Sequence, residues 1–207
     1  MGMQSLLVIL LGYLLGSVSW AYVIGRLIGK IDIREAGDGH ISAAALRKRL
    51  GLAATITSGF LDFCMGALAI IIARALNEPQ IIVMVTGLAA MTGHNWSLFL
   101  KFQGGLGASI IQGVLAVLVF WPFAIGALLA LISQRIIRKT GVSTVIWVVT
   151  VTLVLIIQNL FLHQNHSPDL IIYPLVLILP MYLKRFQIGH MTLNDYVTSH
   201  LRWLPKG

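Results

Sequence analysis

A glycine-rich stretch, GHNWSLFLKFQGGLGAS at residues 93–109, lies between two long apolar runs and decides how the chain is organised. Three of its glycines stand close together, at Gly104, Gly105 and Gly107. Glycines spaced in this way are typical of a loop whose backbone N–H groups bind a phosphate. Such loops usually carry a lysine as well, but the residue between these glycines is Leu106. The stretch therefore predicts an anion-binding loop with no charge at its centre.

The composition places this loop in a membrane protein. Of the 207 residues, 57% are hydrophobic and only 11% are charged, which is too little polar surface for a soluble domain. A membrane span needs about 20 apolar residues, and the longest apolar runs fall at 6–16, 81–91, 143–157 and 170–183. The sequence predicts an all-α polytopic membrane protein that forms a single domain over residues 1–207. The net charge of +8 does not indicate a nucleic-acid partner, because basic residues of membrane proteins mostly mark the cytoplasmic face.

The positions of the basic residues predict the topology. The first of them, Arg26, follows the first apolar run, so we expect the N-terminus outside and the end of the first span inside. All clusters of basic residues lie on the same side of the membrane only if the apolar run after Gly107 is broken at Trp121-Pro122 into two short helices. The first of these, 108–120, would cover only about 20 Å. We predict about seven spans, some of them short, with a cytoplasmic C-terminus, and five or six spans stay open as alternatives.

Two groups of polar residues gather on the predicted cytoplasmic side. The stretch GDGHISAAALRKRLG, residues 37–51, combines a tight turn, a possible helix start and three consecutive basic residues. It indicates either an anion site or a basic loop that rests on anionic lipid headgroups. The second group, His94, Asn95 and Ser97, is either a hydrogen-bonded structural cluster or a functional site, since ionisable groups inside membranes tend to be functional.

Two further features concern single residues. Asp62 falls inside an apolar run and needs a partner, which we expect to be Thr57, Ser58 or an arginine of the first loop. His163 and His166 have no cluster of ligand-type residues around them, so the sequence predicts neither a metal nor a cofactor.

The motifs in the first half of the chain resemble a known family, the acyl-phosphate-dependent glycerol-3-phosphate acyltransferases, or PlsY family. The resemblance rests on Gly16-Ser17, Ala21-Tyr22, Gly25-Arg26, Asp32-Ile33-Arg34, LDFxxGALA at 61–69 and GHNxSxFLKFxGGxG at 93–107. It implies a seven-span enzyme of the bacterial inner membrane with a cytoplasmic active face and no cofactor. The implied reaction transfers an acyl chain from acyl phosphate to glycerol 3-phosphate and gives lysophosphatidic acid, with membrane lipids as the other partners.

The chain departs from the family pattern at charged positions. The family's GSGNxGATNxxR reads GDGHISAAALRK, which places Asp38 and His40 at the serine and asparagine positions. The family's KGGKG reads QGGLG, so Gln103 and Leu106 replace two lysines, and the lysine of the second span is Met65. The family's C-terminal His-Arg-Glu-Asn stretch is absent.

The resemblance nevertheless implies a set of site residues. His94 and His40 are the candidate proton-transfer groups. The candidate substrate-binding residues are Ser17, Asp38, Arg47, Lys48, Arg49, Asn95, Ser97, Lys101, Gln103, Gly104, Gly105, Gly107 and Ser143. The main expectation is a divergent acyltransferase, in which the three consecutive basic residues compensate for the missing lysines or the acceptor is less anionic. The alternative is a non-catalytic relative that binds acyl lipid or a membrane partner.

Overall fold

The structure, a computed structural model, describes residues 2–33, 41, 43–137 and 140–201. Its regular elements in these ranges are all helical. Eight α-helices follow one another along the described chain, with one short 3-10 helix, Leu98–Leu100, between the fourth and the fifth. They are α1 (Met3–Ser17), α2 (Trp20–Leu27), α3 (Ala43–Ala75), α4 (Gln80–Asn95), α5 (Ala108–Leu118), α6 (Phe120–Ile137), α7 (Thr140–Phe161) and α8 (Pro168–Leu201).

The helices confirm an all-helical membrane protein. Within the described residues, four segments are long and apolar enough to cross a membrane, and they belong to α3, α4, α7 and α8. Helices α1 and α2 meet at a bend of 43°, and together they are long and apolar enough for either one broken span or a re-entrant loop. Helices α5 and α6 are apolar but shorter. The seven predicted apolar segments are therefore present, although only five of them are long enough to span by length alone.

Two long-range hydrogen bonds show which segments share an end of the helix bundle. At one end, Gln4 Nε2 donates to the carbonyl oxygen of Leu76 at 2.8 Å, so the N-terminus lies beside the turn between α3 and α4. At the other end, Lys184 Nζ donates to the carbonyl oxygen of Phe102 at 3.1 Å, so α8 reaches the glycine-rich loop. Connections between helices thus lie at both ends of the bundle, as the predicted topology requires. The direction of the bundle across the membrane stays a prediction.

Two of the breaks in the helices have a local cause. Helix α5 ends at Leu118, the following Val119 has a non-helical backbone with φ −144° and ψ 69°, and α6 begins at Phe120. Pro122 then lies in the first turn of α6, where its missing N–H removes no helical hydrogen bond. Helix α3 changes direction at Gly51, which has φ +82°, a value that glycine adopts without a steric penalty. The predicted start of the second span at Leu52 coincides with this change of direction.

Close helix crossings bring the ends of four helices to one place. A Cβ atom on Gly16 of α1 would overlap the carbonyl oxygen of Ala90 on α4, and one on Gly66 of α3 would overlap that of Ile110 on α5. Small residues permit such backbone approach in membrane proteins, where packing drives helix association. The pairs α1 and α4, and α3 and α5, thus pack backbone against backbone and hold their ends around the glycine-rich loop.

The core and the outer surface are both apolar. Fully buried side chains from α3, α4, α5, α7 and α8 form the main core, and the largest include Ile70, Met91, Ile111, Trp147 and Leu177. Large apolar side chains also remain exposed along α1, α3, α6, α7 and α8. A lipid bilayer covers such a surface, which explains the apolar exterior of the helix bundle.

Candidate active site

A cavity of about 190 Å³ opens where the start of α2, the stretch 58–62 of α3, the end of α4 and the start of α5 meet. Its wall combines hydroxyl groups, one carboxylate, one imidazole and several small residues. The lining residues are Ser19, Ala21, Ile41, Ser58, Gly59, Asp62, His94, Gly105, Leu106, Gly107, Ala108 and Ser109.

The first two loop glycines fold the loop back onto the end of α4. The Gly104 N–H donates to the carbonyl oxygen of Asn95 at 3.2 Å, and the Gly105 N–H donates to that of His94 at 3.1 Å. A Cβ atom on Gly104 would overlap the His94 carbonyl, so close packing requires glycine there. These two amides are occupied in this conformation and do not form the phosphate cradle that their spacing suggests.

The third glycine directs the chain into α5. Gly107 has φ +76°, and a Cβ atom on it would lie 2.8 Å from Asn95 Oδ1. Helix α5 begins at the next residue, and Ala108 and Ser109 line the cavity. The first N–H groups of a helix have no intrahelical acceptor, and they favour a negative charge. The N–H groups at the start of α5 are therefore the ones oriented to favour an anion, and anion binding there stays a prediction.

Several buried polar atoms beside the cavity have no hydrogen-bond partner among the described residues. They are Ser19 Oγ, Trp20 Nε1, His94 Nδ1, Asn95 Nδ2 and Asn95 Oδ1. An unsatisfied buried polar group costs about 1–3 kcal/mol, so such groups rarely cluster without a reason. Ser19 and His94 line the cavity, and Trp20 and Asn95 follow them directly in the sequence, so this cavity is the candidate site.

The buried carboxylate takes a different partner from those expected. Asp62 Oδ1 accepts a hydrogen bond from the backbone N–H of Trp20 at 3.2 Å. Ser58 is not its partner, because the Ser58 hydroxyl donates to the carbonyl oxygen of Thr55 at 2.9 Å. Asp62 also interacts electrostatically with His94, which lines the same cavity.

Hydrogen bonds fasten the loop to the end of α1. Ser97 Oγ donates to the carbonyl oxygen of Ser17 at 2.6 Å, and Tyr13 Oη donates to that of Trp96 at 2.7 Å. Ser17 Oγ in turn donates to the carbonyl oxygen of Tyr13 at 2.8 Å. Both serines were predicted to bind substrate. In this structure their hydroxyls donate to backbone carbonyl oxygens, and the Ser97 bond holds the loop against the end of α1.

The sequence of the chain matches one protein family along most of its length. The family model described as glycerol-3-phosphate acyltransferase matches residues 6–192. The chain belongs to this family. A relative named glycerol-3-phosphate acyltransferase from Shouchella clausii is 33% identical over 187 residues, which cover 88% of this chain and 90% of the relative. Another relative of the same name, from Desulforudis audaxviator, is 43% identical over 117 residues, covering 56% of this chain and 57% of the relative.

A comparison with solved structures supports the same fold. The crystal structure of PlsY, described as an integral membrane glycerol 3-phosphate acyltransferase in its glycerol 3-phosphate form, superposes with a TM-score of 0.78. The two chains are 23% identical, and the match covers 93% of each. The PlsY structure in the lysophosphatidic acid form gives a TM-score of 0.76. This chain thus has the PlsY fold.

Apart from Ser17, Ser97 and Gly104, described above, the predicted site residues of this acyltransferase-family protein divide into three groups. The cavity wall contains His94, Gly105 and Gly107, and Asn95 is fully buried beside it. Lys101, Gln103, Arg47, Lys48 and Arg49 are exposed, and Ser143 is buried in α7, but none of these six is among the lining residues that the structure describes. Asp38 and His40 lie outside the described residues.

Sequence reasoning missed two features of this PlsY-like site. It assigned no role in the site to Lys184, whereas the buried Lys184 ammonium donates to the Phe102 carbonyl of the loop and lies 5.7 Å from the centre of the Trp96 ring. It also assigned no role in the site to Ser19 and Asp62, which line the cavity. The rule that intramembrane carboxylates are usually functional would have found Asp62.

Proposed function

We propose that this protein is a membrane acyltransferase that transfers an acyl chain from acyl phosphate to the 1-hydroxyl of glycerol 3-phosphate. The product is lysophosphatidic acid, a precursor of phospholipids. Membership of the glycerol-3-phosphate acyltransferase family and the fold shared with PlsY support this proposal. We further propose a bacterial-type inner membrane as its location, with the site on the cytoplasmic face, because the basic clusters favour that side.

The cavity with its unpartnered polar atoms is the observation that carries the proposal. An acyl phosphate is amphiphilic, so its site needs polar partners beside an apolar surface. The cavity supplies the partners, and exposed apolar side chains lie close by on α3, at Ile56 and Phe60. Both residues belong to α3, which also carries Asp62. They therefore offer the acyl chain an apolar surface near the cavity proposed for the acyl phosphate group.

The proposed reaction needs little covalent chemistry from the protein. The acceptor oxygen forms a bond to the carbonyl carbon of the donor, and the bond from that carbon to the phosphate oxygen breaks. Inorganic phosphate leaves with the electron pair, and the proton of the acceptor hydroxyl ends on this phosphate. Because acyl phosphate is already activated, positioning and charge stabilisation supply most of the catalysis. The first amides of α5 and the Ser109 hydroxyl are donors suited to the departing phosphate. The exposed basic residues 47–49 attract anionic substrates to this end of the protein.

A direct assay tests the proposal. Purified protein in lipid nanodiscs receives radiolabelled acyl phosphate and glycerol 3-phosphate, and lysophosphatidic acid should form above the empty-disc background. Gly105→Trp should abolish this signal, because the indole ring would occupy the cavity that Gly105 lines. Gly2→Trp is the matched control, since nothing lies within 4 Å of a Cβ atom at Gly2. Binding of acyl phosphate without transfer to any acceptor would show instead a non-catalytic binding protein.

A further inference from the structure

Helices α4 and α8 leave a groove between them near the end of the bundle where Gln4 contacts Leu76. The groove has a volume of about 240 Å³. Helix α4 lines it with Ile81, Met84, Val85 and Leu88, and α8 lines it with the residues at 169, 172, 173 and 176. On both helices these positions follow the spacing i, i+3, i+4, i+7, so each set forms one stripe along its helix. Each stripe runs for about 10 Å, at a rise of about 1.5 Å per residue.

The groove has a buried floor and exposed rims. Met84 and Tyr173 form the floor, where Tyr173 Oη donates to the carbonyl oxygen of Met84 at 2.6 Å. Ile81, Val85 and Ile172 are exposed along the rims. Because the Tyr173 hydroxyl is already bonded to the backbone, the middle of the groove offers a water molecule too few polar partners. Lipid hydrocarbon fills such a gap in a bilayer, since wall atoms that face an empty space lose their dispersion contacts.

A carboxylate lies at one end of this apolar groove. Asp169 belongs to the first turn of α8, and its side chain is exposed. Among the described residues it makes no ion pair, and the lining described for the groove contains no lysine or arginine. Arg74, a cation near the same end of the bundle, donates instead to the carbonyl oxygen of Val117. The groove therefore combines an apolar channel with a negative charge at its mouth.

We propose that this groove binds one phospholipid whose headgroup ends in a primary amine, of the phosphatidylethanolamine class. One acyl chain lies along the two stripes, and the ammonium group contacts the Asp169 carboxylate. Phosphatidylglycerol has similar acyl chains but no cation in its headgroup, so Asp169 disfavours it through charge. The site lies away from the candidate active site and is independent of the proposed acyl transfer.

The headgroup preference has an expected size. An exposed ion pair contributes little, so the protein should retain phosphatidylethanolamine about two- to fivefold over phosphatidylglycerol. High salt should reduce this ratio, because ions screen exposed charges. Asp169→Asn should bring the ratio to about one. A carboxylate in the first turn also stabilises the start of α8, but that effect does not depend on the lipid, so the ratio separates the two roles.

The experiment uses the full chain from nanodiscs that contain equal amounts of the two lipids, and native mass spectrometry counts the lipids retained by each protein. Val85→Trp should remove the retained lipid, because the indole ring would occupy the groove. Val149→Trp on α7 is the matched control, since Val85 and Val149 are 37% and 42% exposed. Glu78→Gln is the control for charge, because the Glu78 carboxylate already accepts a hydrogen bond from Ser5 Oγ. Both controls should keep the lipid and its ratio.

Three results would overturn the inference. Equal retention of the two lipids by the unmutated protein, or a ratio that Asp169→Asn leaves unchanged, would remove the headgroup contact. Retention that survives Val85→Trp would place the lipid elsewhere. A dimer mass that disappears in Val85→Trp would show that a second copy of the chain covers the groove. Thermal unfolding checks each variant, and Ile172→Trp on the opposite rim replaces Val85→Trp if that variant does not fold. Acyl transfer does not enter the readout, so this inference and the proposed function fail separately.

Discussion

Replacing Gly66 by alanine tests whether the crossing of α3 and α5 sets the stability of the protein. A Cβ atom at Gly66 would overlap the carbonyl oxygen of Ile110 and lie 3.1 Å from its carbonyl carbon and Cα atom. These are backbone atoms, so relief requires the two helices to separate by roughly 1 Å in a close-packed interior. Overpacking of this kind costs about 1–3 kcal/mol. The better helix propensity of alanine, about 1 kcal/mol in water, offsets only part of that cost.

Gly59→Ala is the matched comparison, because Gly59 lies two turns earlier on the same helix and faces the same partner. A Cβ atom there would meet only Ser109 Oγ at 3.5 Å, an ordinary contact. We expect Gly59→Ala to keep or raise the thermal unfolding midpoint in detergent micelles. Gly66→Ala should lower it by several degrees. Equal midpoints for the two variants would refute the reasoning that backbone contact at this crossing determines stability.

Three further substitutions give separate expected outcomes. Leu106→Lys adds a positive charge to the cavity wall. Because a charged hydrogen bond contributes about 1.5–3 kcal/mol, this variant should lower the KM for glycerol 3-phosphate about 10- to 100-fold in the transfer assay. An unchanged KM would contradict this expectation. Lys184→Met removes the hydrogen bond to the Phe102 carbonyl and should speed proteolysis of the loop, whereas Lys101→Met at an exposed position should not. Ser97→Ala leaves a carbonyl at the end of α1 without its donor and should cost about 1–3 kcal/mol, measured as a lower unfolding midpoint; no change would mean that the bond adds nothing.

The order and number of the apolar helices were largely predictable because hydrophobic length and helix breaks act locally, whereas the orientation across the membrane stays a prediction. The short helices α5 and α6 followed from a proline and from the need to place Arg135 on the basic side. The break between α1 and α2 was not predicted. The residues around it, Ser17-Val18-Ser19, include neither a proline nor a charge. Their departure from a helix depends on partners supplied by other segments, which local sequence patterns do not reveal.

The candidate site was predictable only in part. The glycine-rich motif led to His94, Gly105 and Gly107, and the structure brings all three to one cavity. The same motif suggested the Gly104 and Gly105 amides as phosphate donors, whereas in this structure they bond to carbonyl oxygens of α4. Glycine spacing shows where a backbone bends and not which acceptor its amides meet. Asp62 and Ser19 join the wall through the approach of α3 to the start of α2, and no spacing between residues so far apart in sequence specifies that approach.

The broken first span has a consequence for how the protein is made. In a bilayer, backbone groups need partners within the protein, and at this break two of them come from later segments. The Trp20 amide bonds to Asp62, 42 residues further along the chain, and the Ser17 carbonyl accepts from Ser97, 80 residues further along. These two hydrogen bonds can therefore form only once the chain has been synthesised as far as Ser97, nearly half of its length.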